Sequence, residues 1–564
     1  MKKIIVFFMT LVLIFTVAGC GKKPKAKIEN EDIRRSSYKF ELSVDENDNI
    51  TKGSVLVNFY KLSKKDEVLV STKTLTTFSE TVSVTGLESD TEYRCDVLCT
   101  YNKKSHIIYS WVVKTKKNGT EFDPILIENA NEFVDYLTKD YSEDAYYELA
   151  NDIDFSEYSN KNEDGTEIPF EGISQTSSQA FAGTIKGNDK TIKNINITSS
   201  ASYNGLFGYF KGTLEDVKFD NVNVNVKRDS STTTYSGLVC GYAYQAKFIN
   251  VEISNSTLTV DAKTQYTGGL VGYSFASNIL NAKNNNLKLE SKSGTTSYVG
   301  GLTSWIQQNS SDKYGKIIDA TVSGTVNISA TEKLYYGGLV GLLKSGATVE
   351  KAIANVNATI NTTGATDAAG LIGNAKMSDF KVSDRIKNVV AKGKITYKSV
   401  KETDVVENSG DVAIAGLIAS ATAVKLSGAY SEMELDIEAK ITSNKGLYSS
   451  LAFGRGFEYH TELSNAIVNG KINAVTIDSA TDADISIHGY DGSVYNLSGD
   501  EKPLSTIDSE TVSYVCVNIN LDGSENVWPN PIKITDAKTL AKWDLIIWNV
   551  TVDETNNKID VVFS

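Results

Sequence analysis

Histidine is nearly absent from this 564-residue chain. His106, His460 and His488 are the whole complement, far apart and in no metal-ligand spacing, which argues against a zinc centre. Cysteine is almost as scarce, with five residues at 20, 95, 99, 240 and 516. Cys95 and Cys99 share a face of one expected strand but stand roughly 13 Å apart at ~3.3 Å per residue, too far to bridge. With no disulfide framework, a packed core must carry the stability. Proline occurs six times, at 24, 124, 169, 503, 529 and 531, so residues 170–502 hold none. Interior strands of a parallel stack donate hydrogen bonds on both edges and exclude proline, and this gap has that character. Positive charge is in deficit: 57 Lys and Arg against 70 Asp and Glu leave a net charge of −13. That balance argues against nucleic acid and against a broad anionic partner. Long apolar runs are missing except at the start, where Ile4–Val17 is apolar but for two threonines. Those 14 residues fall short of the roughly 20 that span a bilayer.

What the chain does have is a repeat. Tyr203-Asn-Gly-Leu-Phe-Gly, Tyr235-Ser-Gly-Leu-Val-Cys-Gly, Tyr266-Thr-Gly-Gly-Leu-Val-Gly, Tyr298-Val-Gly-Gly-Leu and Tyr335-Tyr336-Gly-Gly-Leu-Val-Gly follow one another. The anchor leucines (206, 238, 270, 302 and 339) are 32, 32, 32 and 37 residues apart, and weaker copies follow at Ala369–Gly373 and Ala415–Ile418. A period of that size means stacked units, none of which buries its apolar face alone. After each glycine-leucine strand comes one turn position: Asp216, Asn250, Asn281, Asp319, Lys351, Asn388, Gly428 and Asn465. Five residues beyond most of them stands Asn or Gly again: Asn221, Asn255, Asn286, Gly324, Gly393 and Gly470. Most of these residue types tolerate the left-handed backbone of a corner, and asparagine amides can bond along a stack. Each repeat is therefore expected to be one coil of strand, corner, strand, corner, strand.

Residues 1–19 have the form of a signal peptide, and Val17-Ala18-Gly19-Cys20 resembles the lipobox of bacterial lipoproteins. That resemblance implies cleavage before Cys20, lipid attachment to it, and a place on the outer face of a bacterial membrane. Residues 20–34, charged and without periodicity, are expected to form a flexible stalk. Residues 35–118 alternate apolar and polar in short runs. Within them Val84-Thr-Gly-Leu87 to Thr91-Glu-Tyr93-Arg-Cys95-Asp-Val97 resembles the E–F corner of a fibronectin type III domain, whose tyrosine hydroxyl reaches back to the backbone. Tyr93, Cys95, Val97 and Cys99 then face a core as buried thiols and apolar groups. Asn129 with Glu132 makes a capping box, and Ala130, Phe133, Val134 and Leu137 give a helical face, suited to capping the open edge of the stack.

Leu149-Ala-Asn-Asp-Ile-Asp154, Phe181-Ala-Gly-Thr-Ile-Lys-Gly-Asn188 and the Gly-Leu-Val-Gly copies together resemble bacterial surface proteins with GLUG-motif repeats. The resemblance spans about residues 121–475. It implies an all-β chain: a right-handed parallel β-helix over 121–500, preceded by a small β-sandwich and a short capping helix. A C-terminal capping region, 501–564, would contain the turn Trp528–Pro531 and the segment Leu540–Trp548. Such proteins include adhesins and some IgA-specific metallopeptidases. The His-Glu-x-x-His helix of the peptidases is missing, so no protease activity is expected.

Tyr203, Tyr235, Tyr266, Tyr298 and Tyr336 (or its neighbour Tyr335) are the candidate ligand-binding residues. Equivalent positions on successive coils repeat every ~4.8 Å, close to the rise of a sugar unit. An outward strip would serve glycan stacking or a protein hot spot, whereas an inward one would only stabilise the stack. No catalytic residue, metal or cofactor is expected. Paired acids of a glycosidase stand roughly 5 to 9.5 Å apart, and Asp216 and Asp319, three coils apart, are too distant. Asp152 and Asp154 share a face on which calcium or only solvent would sit. Asp45–Asn49 starts like a calcium loop but lacks its later ligands and is expected to be a turn. The expected function is binding to a host or neighbouring-cell protein or glycan, the alternative a polysaccharide lyase or hydrolase on the same scaffold.

Overall fold

A computed structural model describes residues 24–487, apart from 46–49, 51–53, 64–65, 102, 117–118, 139–144, 163, 310–314, 345, 378–382, 402–403, 406–408, 458–460 and 477–478. Beyond 487 it describes 494–495, 505–507, 512–521, 524–527, 548–553 and 558–563. The signal segment with Cys20, the residues 46–49, the turn Trp528–Pro531 and most of Leu540–Trp548 lie outside the described residues. Of the described residues 68% are strand and 4% helix, forming a β-solenoid of about nine turns preceded in sequence by small antiparallel sheets and one short helix. The described residues divide into two compact units, those up to 125 together with 135–146, and 126–134 together with those from 147 on.

The first unit is a two-sheet sandwich. Its strands are β1 (Ala26–Ile33), β2 (Ser37–Val44), β3 (Leu56–Leu62), β4 (Glu67–Thr74), β5 (Ser79–Thr85), β6 (Glu92–Tyr101) and β7 (Lys104–Lys114). One sheet runs β1-β2-β5, the other β4-β3-β6-β7, with every neighbour antiparallel. Alternation in β6 puts Tyr93, Cys95, Val97 and Cys99 into the core, as expected. The Tyr93 hydroxyl accepts a hydrogen bond from the Glu88 amide at 2.7 Å, closing the corner. Trp111, from β7 late in the sandwich, packs edge-on to Phe40 at 5.3 Å and donates to the Tyr38 hydroxyl at 3.0 Å. The expected stalk over 20–34 needs correction. Ala26–Ile33 is an edge strand paired to β2, and its charges, which look like linker composition, are what an edge strand carries to resist pairing with other chains.

Helix α1 (Ala130–Thr138) is capped as its sequence dictates. The Glu132 amide donates to Asn129 Oδ1 at 3.0 Å, and the Glu132 carboxylate accepts from the Glu128 amide at 2.8 Å. Phe133 is buried and meets Phe155 at 5.8 Å. In the solenoid, Phe181 contacts Phe207 and Phe210, and Phe210 contacts Phe248, so a file of phenylalanines fills the first coils.

Each coil adds one strand to each of two short parallel sheets of nine strands, and one or two to a long third sheet. In the long sheet a single run such as Asn278–Ser293 passes through both polar corners. All eight first-corner residues, Asp216 to Asn465, have positive φ, as do Asn221, Asn255, Asn286, Gly324, Gly393 and Gly470. The asparagines also bond along the stack: Asn250 Nδ2 donates to Asp216 at 2.6 Å and Asn281 to Asn250 at 2.8 Å. In the second corner Asn286 donates to Asn255 at 3.0 Å and Asn255 to Asp220 at 2.8 Å. Glycine-leucine, read as a single strand in the sequence, is instead a third corner. Gly237 ends one short strand and Cys240 begins the next, around a buried Leu238. At Gly241 a Cβ would stand 2.8 Å from the Tyr235 carbonyl, so only glycine lets the two short sheets approach this closely. Toward the C-terminus, Val512–Leu521 pairs parallel with Thr461–Thr476 but antiparallel with Ser524–Val527, which breaks the parallel pattern.

Candidate functional site

The tyrosines of the repeat fall into strict register on the first short sheet: Tyr203 opposite Tyr235, then Tyr266, Tyr298 and Tyr335. Their rings stack at 5.3, 5.1, 4.5 and 4.9 Å between centroids, with interplanar angles of 11, 14, 5 and 8°. Tyr336 is not in this column. It is 1% exposed and lies in the core, because neighbouring residues of a strand face opposite sides. The candidate position belongs to Tyr335, and counting back four residues from the leucine of each Gly-Gly copy identifies it: Tyr266 to Leu270, Tyr298 to Leu302, Tyr335 to Leu339.

A second column, missed in the sequence reading, stands on the second short sheet: Tyr209, Tyr242, Tyr273 and Trp305. It stacks at 4.8, 4.9 and 5.4 Å. Its signal is the Gly-Tyr pair at 208–209, 241–242 and 272–273. The two columns meet edge to face, as in Tyr235–Tyr242 at 5.2 Å and 79°, and Tyr266–Tyr273 at 5.2 Å and 79°. Outward side chains on adjacent sheets touch only where the sheets meet at an inward angle. The nine rings therefore line a groove along the solenoid axis.

This geometry changes what the rings can offer. Each interior ring has a neighbour on both faces, so its faces are occupied and only its half-buried rim meets solvent. A sugar or base cannot lie flat on it, and a ligand here meets ring edges and hydroxyls. Burial pushes the Tyr209 phenol up to about 12 and raises those of Tyr235, Tyr242, Tyr266, Tyr273, Tyr298 and Tyr335. These phenols stay neutral at physiological pH, available as both donors and acceptors.

Beyond Trp305 and Tyr335 the same two columns turn polar. Asp367 follows Tyr335 in register, and Asn374, Ser420 and Arg455 follow Leu342. Arg455 is 9% exposed. Its guanidinium bonds Asp367 at 2.8 Å, Asp411 at 3.1 Å and Ser420 Oγ at 2.9 Å. Asp367 also accepts from Ser420 at 2.7 Å and Asn374 at 2.8 Å, so both its oxygens are engaged. Repeat counting places Asp367 at the tyrosine position of a weaker copy, but the convergence of residues from three coils is not visible in the sequence.

The other candidate acids have structural work. Asp216 holds Asn250, and Asp319 holds Lys351 at 2.9 Å. Asp152 accepts from the Thr191 amide at 2.9 Å. Asp154 accepts from Asn194 and Ser156, and these bonds, with Lys193 adding to them, hold its carboxyl well below the usual range. Among the described residues no group of three or more His, Cys, Asp or Glu is placed to hold a metal ion, and no helix is long and apolar enough to cross a membrane. Cys95, Cys99 and Cys240 are free, buried thiols, each raised by desolvation.

No family model matches the chain, and no curated protein matches it. Among solved structures it is similar to the sensor domain of the anti-sigma factor RsgI4 of Pseudobacteroides cellulosolvens, at 12% identity and a TM-score of 0.14, over 17% of this chain and 76% of that one. It is also similar to the third fibronectin III domain of human KIAA0343 protein, at 14% identity and a TM-score of 0.14, over 19% and 95%. Scores this low place the chain with neither. What the structure shows is the class: a parallel β-solenoid that follows a small β-sandwich along the chain.

Proposed function

We propose that this is a cell-surface lipoprotein of the GLUG-repeat kind, anchored through lipid on Cys20, that binds a glycan or a protein of a host or neighbouring cell along its aromatic groove. The observation that carries the reading is the pair of ring columns, nine partly exposed aromatic residues set along one axis at the spacing of the coils. A row of equivalent weak contacts suits a repetitive ligand, because each added unit raises avidity without a new kind of contact. A second reading, a polysaccharide-degrading enzyme, draws on the convergence of Asp367 and Asp411 at Arg455. Against it, Asp367 has no free oxygen with which to accept or deliver a proton.

The test is a glycan and extracellular-matrix array probed with the full-length chain in mild detergent, beside a Tyr203→Phe, Tyr235→Phe, Tyr266→Phe, Tyr298→Phe variant. Phenylalanine keeps the stacking and removes only the hydroxyls. Binding by the parent that the variant loses supports the groove as the site. A parent that binds nothing, or that releases new reducing ends from a polysaccharide, overturns the binding reading. Anchoring is checked separately: Cys20→Ser is expected to free the protein from the membrane fraction.

A further inference from the structure

The groove has cations at its two ends. The Lys211 ammonium lies 5.7 Å from the Tyr209 ring centre and 5.9 Å from that of Tyr244, at the first coil. Lys344 lies 5.2 Å over Trp305 and Lys333 4.8 Å over Tyr335, at the fifth. None of the three has a carboxylate partner among the described residues, whereas many other lysines of this acidic chain do. From the first coil to the fifth neither column contains an acid: the outward residues are Tyr203, Tyr235, Tyr266, Tyr298 and Tyr335 on one side, and Tyr209, Tyr242, Tyr273, Trp305 and Leu342 on the other. Acids begin with Asp367 in the sixth coil, and that carboxylate is held by Arg455.

We propose that the groove takes a linear carboxylated polysaccharide, with a uronate carboxylate on every sugar, lying along the solenoid axis from Lys211 to Lys333 and Lys344. This rests on the binding reading above and names its ligand class. Spacing selects the polymer. The coils recur every ~4.8 Å, close to the rise of a pyranose unit, whereas an extended peptide advances ~3.3 Å per residue and drifts out of step. Closed ring faces deny a single-stranded nucleic acid the stacking it needs. Charge selects the substituent. The two lysine positions are four coil steps apart, about 19 Å, and one chain satisfies both only if its charge recurs along its length. The net charge of −13 disfavours a broad anionic surface contact. Over more than the ~8 Å screening length at physiological salt, however, distant acids count for little, and the charges in the groove decide.

Full-length protein in mild detergent is titrated with polygalacturonate, its fully methyl-esterified form, and poly-glutamate, beside a K211E/K333E/K344E variant checked for fold by circular dichroism. The expected result is binding of polygalacturonate at least about tenfold tighter than of the ester, weakening with added salt and lost in the triple variant. Equal affinity for acid and ester, or an undiminished triple variant, overturns the assignment of charge and leaves the groove as a neutral-glycan site. Equal affinity for poly-glutamate overturns the assignment of sugar. Failure to bind any of the three overturns the proposal, and the array then decides whether the groove binds glycans at all.

Discussion

Tyr266 lies at the centre of the ring array, and its removal measures what the array contributes. It stacks on Tyr235 at 5.1 Å and Tyr298 at 4.5 Å, and meets Tyr273 and Trp305 edge-on at 5.2 and 5.7 Å. Aromatic pairs contribute about 0.5–1.5 kcal/mol each beyond area burial. Four such pairs, discounted because neighbouring rings relax into the gap and the pairs are not additive, give Tyr266→Ala a loss of about 3 kcal/mol. Tyr335 ends the column, with one stacked ring, Tyr298, and the Lys333 ammonium on its ring. Tyr335→Ala should therefore lose only about 1 kcal/mol. Tyr266→Phe, which keeps every ring contact, should stay below that. A solenoid is quasi-one-dimensional and a global midpoint averages over coils. The assay is therefore hydrogen exchange read by mass spectrometry on peptides of the third and fourth coils. If Tyr266→Ala opens those coils no more than Tyr335→Ala or Tyr266→Phe does, ring stacking does not hold the coils together and the reasoning fails.

Three further outcomes follow from the same geometry. Asn250→Ala should lose about 2 kcal/mol, since alanine resists the left-handed corner and the bonds to Asp216 and Asn281 disappear, while Asn250→Gly loses only the bonds, about 1 kcal/mol. Denaturant midpoints that rank the two variants the other way would refute the corner argument. Arg455→Met leaves Asp367 buried without its cation and should lose about 3–5 kcal/mol in the sixth to eighth coils, part of which Asp367→Asn restores in the double variant; no restoration would show that the ion pair is not the source. The raised phenols hold their protons above the unfolded value of about 10, so native protein binds more protons in that interval and loses stability as pH rises. Stability should be whole below about pH 10 and fall through about pH 12 for Tyr209, later for Tyr242 and Tyr273. An ultraviolet titration of folded protein in which all 28 tyrosines ionise together at the ordinary value would contradict this.

Much of the architecture was legible because backbone conformation is written locally. Asn, Asp and Gly at Asp216, Asn250, Asn281, Asp319, Asn388, Gly428 and Asn465 mark corners whatever the rest of the chain does, and each has positive φ. Lys351 was legible only from its place in the repeat, since its side chain does not favour that conformation; the ion pair to Asp319 accompanies it. The stalk was misread because an edge strand and a linker share the same charged composition. Tyr336 was misassigned because two adjacent tyrosines face opposite sides of one strand, and the five-residue longer spacing before it blurs the count.

By itself, then, the sequence determined the coil: its period, its corners, its prolines kept to the ends, and one column of tyrosines. Those features depend on residues a few positions apart and on the backbone each side chain permits. The tertiary structure alone decided that two sheets meet at an inward angle. That angle brings Tyr209, Tyr242, Tyr273 and Trp305 edge-on to the first column and gathers Asp367, Asp411 and Arg455 from three coils at one point. A corner angle is set by how whole sheets pack, through close contacts such as that of Gly241 with the preceding strand, and no single segment of the chain encodes it.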